Sequence, residues 1–167
     1  MMNITLARID DRFIHGQILT RWIKVHAADR IIVVSDDVAQ DEMRKTLILS
    51  VAPSNVKASA VSISKMAKAF HSPRYEGVTA MLLFENPSDI VSLIEAGVPI
   101  KTVNVGGMRF ENNRRQITKS VSVTEEDTEA FETLNELGVT LELRQLPSDT
   151  SEDFMEILRN VTKSSRG

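Results

Sequence analysis

Residues 8–18 read RIDDRFIHGQI, which places two arginines, two aspartates and one histidine in a single short stretch. Neutral imidazole is nucleophilic near neutral pH and forms covalent intermediates. The guanidinium groups of Arg8 and Arg12 could grip a phosphoryl group in fork geometry, or Arg8 could instead be structural. Gly16 follows His15 directly and lets an anion approach the backbone closely. The pattern after it is helical, so the free N–H groups of Gly16 and Gln17 would point towards the same place, where a helix start favours negative charge. Phosphoryl transfer depends mainly on in-line positioning and charge stabilisation. These groups supply both without a metal or any other cofactor. Asp10 either orients the His15 ring or fixes the turn.

The plainer reading is a capping turn with a surface histidine. Position favours the chemical one, since His15 ends the loop after the first strand. His26 falls late in the first predicted helix, and His71 follows Phe70 near Pro73. Histidines spaced by 11 and 45 residues form no metal motif. Trp22 reads as core. Arg109, Arg114, Arg115 and Lys119 follow the fifth strand and could face the same edge as His15, or form a solvated hairpin. Gly106-Gly107 lacks the surroundings of a nucleotide-binding loop.

The elements that must hold these residues alternate between β and α. Strands are predicted at 4–9, 31–34, 58–62, 79–84 and 101–105. Helices are predicted at 16–28, 39–51, 64–70 and 89–96, the last capped by Ser88. The segment 108–123 breaks the rhythm: Asn112-Asn113 could turn a hairpin, and SVSV resembles a short edge strand. Thr124–Asp127 resembles a capping box with aspartate where glutamate is usual, opening a helix that runs to about 137. A strand at 139–143 and a helix at 151–161 complete the chain, with a frayed KSSRG tail. Continuous apolar strands alternating with helices mean an α/β fold with a parallel sheet covered by helices on both faces. The alternating segments near the C-terminus suggest a mixed edge. Ligand sites in such sheets form beyond the carboxyl ends of strands, which singles out the loops at 10–16, 35–38, 62–64, 85–88 and 106–115.

The bulk properties agree. The 167 residues fit a single domain spanning 1–167. Hydrophobic residues are 42 % and charged residues 26 %, with a net charge of −3. This balance gives no bulk reason to bind nucleic acid. There is no cysteine, so disulfides and thiolate chemistry are excluded. No apolar run approaches the roughly 20 residues needed to cross a bilayer, and the N-terminus is unlike a signal peptide. A cytoplasmic protein without direct membrane insertion is expected.

Taken together, ARIDDRFIHGQILTRW, RIIVVSDDVAQDEMRKTL, MLLFENPSDI and VNVGGMRF resemble the IIB subunits of the mannose class of the bacterial phosphoenolpyruvate-dependent sugar phosphotransferase system. The likeness covers nearly the whole chain, with Phe13 where leucine is usual, and extends to the fructose-specific members of levan-utilisation systems. The resemblance implies an open twisted sheet of about seven strands, mostly parallel with one antiparallel edge strand. It implies that His15 takes a phosphoryl group on Nδ1 from a phosphohistidine of IIA. It implies transfer to a sugar, fructose, during uptake through the membrane IIC and IID proteins, at which the protein would associate peripherally. A regulator protein as a further partner is left open. A competing reading is a receiver-like domain phosphorylated on aspartate, with Asp10-Asp11 as its acidic pair. It lacks an aspartate at the end of the third strand. A third reading is a ligand-binding or scaffold domain without catalysis.

Overall fold

A computed structural model describes residues 1–164, except for the side chains of 16–18. Seven strands form one sheet: β1 (Asn3–Asp10), β2 (Arg30–Val34), β3 (Lys57–Val61), β4 (Thr79–Phe84), β5 (Thr102–Gly107), β8 (Thr140–Leu143) and β9 (Glu152–Asp153). Their order is β3-β2-β4-β1-β5-β8-β9. All pairings are parallel except that of β8 with the short edge strand β9. A separate two-stranded hairpin joins β6 (Arg115–Gln116) and β7 (Ser122–Val123).

The alternation of strand side chains decides which helices cover which face. Ile31, Val33, Met81 and Leu83 pack with Leu19 and Trp22 of α1 (Gly16–Val25) and Val38 of α2 (Asp36–Gln40), with α3 (Glu42–Leu49) beside them. Ile32, Val34, Ala80, Leu82 and Phe84 point the other way. There they meet α4 (Ile63–His71), α5 (Pro87–Glu95), α6 (Glu125–Glu136) and α7 (Phe154–Ser164) through Met66, Phe70, Ile90, Leu93, Phe131 and Phe154. The α/β architecture with helices on both faces is as the sequence predicts.

Several local expectations are corrected. The helix predicted at 39–51 is two helices, broken at Asp41. Its carboxylate accepts from the Arg44 N–H at 3.1 Å and caps α3, while Ser35 caps α2. A short acidic side chain that can bond its own backbone favours a helix end over a helix interior. The cap of α5 is Asn86 rather than Ser88, with Pro87 in the first helical position, where its missing N–H costs nothing. Asn112-Asn113 do turn the chain, with the Arg114 N–H reaching the Glu111 carbonyl at 2.9 Å. The β6–β7 hairpin, however, closes further on, where the Thr118 hydroxyl accepts from the N–H groups of Ser120 and Val121. The last helix begins at Phe154, because Glu152 and Asp153 are taken up by the antiparallel edge strand. The aspartate version of the capping box forms completely: Thr124 and Asp127 bond each other's backbone N–H at 3.0 Å. Of the tail, residues 165–167 lie outside the described residues.

Candidate functional site

β1 lies inside the sheet between β4 and β5, so its carboxyl end is held from both sides. The turn that follows is closed by the Phe13 N–H donating to the Asp10 carbonyl at 2.8 Å. Phe13 adopts φ 56° and, among the described residues, is the one non-glycine in the left-handed region. Its side chain and that of Ile14 are buried in the apolar layer, which holds the backbone in this unfavoured conformation. Leu19 and Trp22 anchor the other side. Between these anchors His15 caps the start of α1 with no side-chain cap bond and stands exposed. A backbone anchored on both sides holds His15 at the surface, where a macromolecule can meet it. His15 lines neither the cleft along β8–β9 nor the one between the hairpin and α6–α7.

Asp10 is buried, and its carboxylate accepts from the Arg12 backbone N–H (3.1 Å), Arg12 Nε (3.0 Å), Arg12 Nη2 (2.9 Å) and Arg8 Nη2 (3.1 Å). Of its two expected roles, these bonds serve the turn. They also leave no free acidic pair of the kind a receiver domain uses. The fork on Asp10 raises the Arg12 pKa above its ordinary value. The Arg12 side chain is 40 % exposed, so its remaining N–H donors can face an incoming phosphoryl group.

Arg8 is where the structure departs from the expected site. It is 1 % exposed. Its guanidinium donates to Asn104 Oδ1, to the Arg144 carbonyl at 3.2 Å and to Asp10, and lies 5.2 Å from the Trp22 ring centre. Burial lowers its pKa, against the opposing pull of Asp10. A cation so enclosed cannot touch a phosphoryl group at His15; it holds Asp10, which holds Arg12. Gly106 makes the room, since a Cβ there would lie 2.2 Å from the Arg8 guanidinium carbon. Gly16 and Gln17, the other expected phosphate ligands, lie outside the described residues apart from the helical backbone with which they open α1.

The basic loop after β5 is drawn to this turn by Asp11, to which the sequence assigns a part only in the competing receiver-like reading. The Asp11 carboxylate accepts from the Arg109 backbone N–H at 2.8 Å and lies 3.8 Å from Arg114 Nη1, and the Asp11 N–H reaches the Gly107 carbonyl at 3.1 Å. Arg109, Arg115 and Lys119 are exposed. Asn104 and Arg144 are also unforeseen as supports; an asparagine inside the apolar strand TVNV was the available signal. On the other side of the turn, Arg44 lies over the Phe13 ring at 5.7 Å and bonds Glu85 at 3.0 Å. Next to Glu85, Asp89 has its pKa pushed up to about 7 by burial and then by the charges of Glu85, Asp36 and Asp37. His26 and His71 lie elsewhere, stacked on Trp22 and edge-on to Phe70. Among the described residues no cluster of His, Asp and Glu could hold a metal ion.

The family model described as "PTS system sorbose subfamily IIB component" matches residues 4–166. The chain is 91 % identical over 163 residues to the PTS system fructose-specific EIIB component of Bacillus subtilis (strain 168), covering 98 % of this chain and 100 % of that protein. It is 49 % identical over 162 residues to the PTS system mannose-specific EIIAB component of Escherichia coli (strain K12), covering 97 % of this chain and 50 % of that longer protein. Among solved structures, the IIBSor domain of the sorbose permease from Klebsiella pneumoniae superposes with a TM-score of 0.92 at 45 % identity, covering 95 % of this chain and 98 % of that one.

Proposed function

From the premise that the chain belongs to the mannose-class, sorbose-subfamily IIB components of the sugar phosphotransferase system, we propose that His15 is its phosphoryl-accepting residue and that the sugar it serves is fructose. The observation that carries this reading is the exposed His15, with no side-chain cap bond, at the end of a turn in which Asp10 locks Arg12 in place. In the first step a ring nitrogen of His15, Nδ1 by family likeness, attacks the phosphorus of a phosphohistidine on IIA. A new N–P bond forms as the donor's N–P bond breaks. In the second step a sugar hydroxyl attacks, the His15 N–P bond breaks, and the hydroxyl proton is released. The first step moves the charged group from nitrogen to nitrogen and the second from nitrogen to oxygen, so in both stabilising the equatorial oxygens matters most. Arg12 and the backbone N–H groups at the start of α1 are suited to this task. Arg8 and Asp10 are positioning residues.

The E. coli relative, whose name joins IIA to IIB, supports IIA as donor. The IIC and IID membrane proteins would be the site of sugar transfer. The B. subtilis relative's name supports fructose. No helix among the described residues is long and apolar enough to cross a membrane, which fits a carrier that reaches the permease by docking from the cytoplasm. The test is incubation with phosphorylated IIA followed by mapping of the modified residue. His15 should carry an acid-labile, base-stable phosphate. His15→Ala should abolish acceptance with an unchanged circular dichroism spectrum, because an exposed loop side chain contributes little to stability. Normal acceptance by that variant would end the reading.

A further inference from the structure

The helix α3 carries no buried side chain. Met43 is 76 % exposed and Leu47, one turn on, 65 %; Val51, four residues further and just past the helix end, is 54 % exposed. Single exposed apolar residues are ordinary. Three at this spacing form a row that water disfavours and a partner could cover. The row starts next to the site, since Arg44 lies over the Phe13 ring of the His15 turn. It is also framed by charge: Asp36, Asp37, Asp41 and Glu42 are all exposed. Of the two cations nearby, Arg44 and Lys45, the first is neutralised by Glu85.

The sheet order gives this flank its meaning. Along the carboxyl edge, β4 and β2 lie on one side of β1, and β5 on the other. The acidic, apolar α2–α3 flank and the basic loop with Arg109, Arg114, Arg115 and Lys119 therefore stand on opposite sides of His15. A carrier meets two partners in turn. The donor brings an anionic phosphoryl group, which the basic loop attracts. The acceptor is embedded in a membrane, and the cytoplasmic loops of such proteins carry an excess of Lys and Arg. Those loops complement the acidic frame, whereas an anionic lipid surface would repel it.

Building on the function proposed above, we propose that the Met43–Leu47–Val51 row with its acidic frame is the surface by which the phosphorylated protein docks on the basic cytoplasmic loops of the membrane-embedded acceptor. The apolar row supplies the dehydrated centre of the contact and the carboxylates its rim. The donor engages the basic flank instead, so the two dockings are separable by substitution.

The experiment uses the double variants Met43→Ser/Leu47→Ser and Asp37→Lys/Glu42→Lys. Each is assayed for His15 phosphorylation by phosphorylated IIA, and then for sugar phosphorylation with membrane vesicles containing IIC and IID. Both variants should accept phosphate at the unsubstituted rate, which also shows that they are folded. Both should need about tenfold more protein to half-saturate the vesicles, the loss expected for an anchor residue at a protein contact. Added salt should weaken the vesicle step of the unsubstituted protein and have less effect on the charge-reversed variant. Unaltered half-saturation of the vesicles, equal losses in both steps, or equal binding to protein-free anionic vesicles would each overturn the proposal. An unsubstituted chain that never takes phosphate on His15 would instead overturn the function on which it rests.

Discussion

Asp10 shows how much one carboxylate can organise. It sits at the carboxyl end of β1 between two guanidinium groups, and its bonds to Arg12 fix both the turn and a partly exposed cation three residues before His15. Asp10→Asn keeps the shape but removes the charge, leaving Arg8 buried and uncompensated. Breaking one side of a buried ion pair costs about 3–5 kcal/mol, so the urea midpoint of the variant should fall markedly at neutral pH. Its acceptance of phosphate should slow as Arg12 loses its anchor. At this scale the sequence was a good guide to place and a poorer one to role. RIDDRFIH pointed to the turn after β1, where the structure leaves His15 exposed. Nothing in it told that Arg8 folds inward over Trp22, because the partners that draw it there, Asn104 and the Arg144 carbonyl, stand 96 and 136 positions away. A charged residue at a strand end reads as exposed until those partners are known.

At the scale of elements, β5 does more than extend the sheet. It presents Asn104 to Arg8 and then, at Gly106, leaves the gap into which the guanidinium fits. Gly106→Ala would drive a methyl group into that guanidinium. The variant should unfold at lower urea and lose phosphate acceptance in parallel, while Gly107→Ala, whose Cβ would meet its neighbours at 3.4 Å or more, should do far less. The regular strands were legible because continuous apolar runs admit few other readings. Three of the failures share one cause. Asp41, Asn86 and Thr118 each bond nearby backbone, and such bonds shift an end or close a turn by a few residues without altering the hydrophobic pattern. β9 was hidden for a different reason: two residues are too short for any periodicity.

Over the whole molecule, the arrangement of charge links stability to pH. Asp89 titrates at about 7 because it is partly buried among Glu85, Asp36 and Asp37. An aspartate in an unfolded chain titrates near 4. The fold therefore holds a proton that the unfolded chain has released, and stability falls as pH rises from about 4 to about 7, then levels. Asp89→Asn should flatten that slope, leaving stability near pH 4 unchanged and raising it at pH 8 by about 1 kcal/mol after allowance for solvent screening and the favourable helix start. Urea titrations at the two pH values check both halves. The overall α/β plan was legible from the alternation of elements. The opposition of basic and acidic flanks was not, because it exists only once the strand order sets β2 and β5 on either side of β1.

That strand order has a consequence during synthesis. His15 leaves the ribosome well before the residues that shape the surroundings of its turn, at 104, 106 and 144. A growing chain can expose the imidazole for most of its birth without the aligned cation beside it. Fragments ending before β8 would thus carry His15, Asn104 and Gly106 but lack the Arg144 carbonyl that helps hold Arg8.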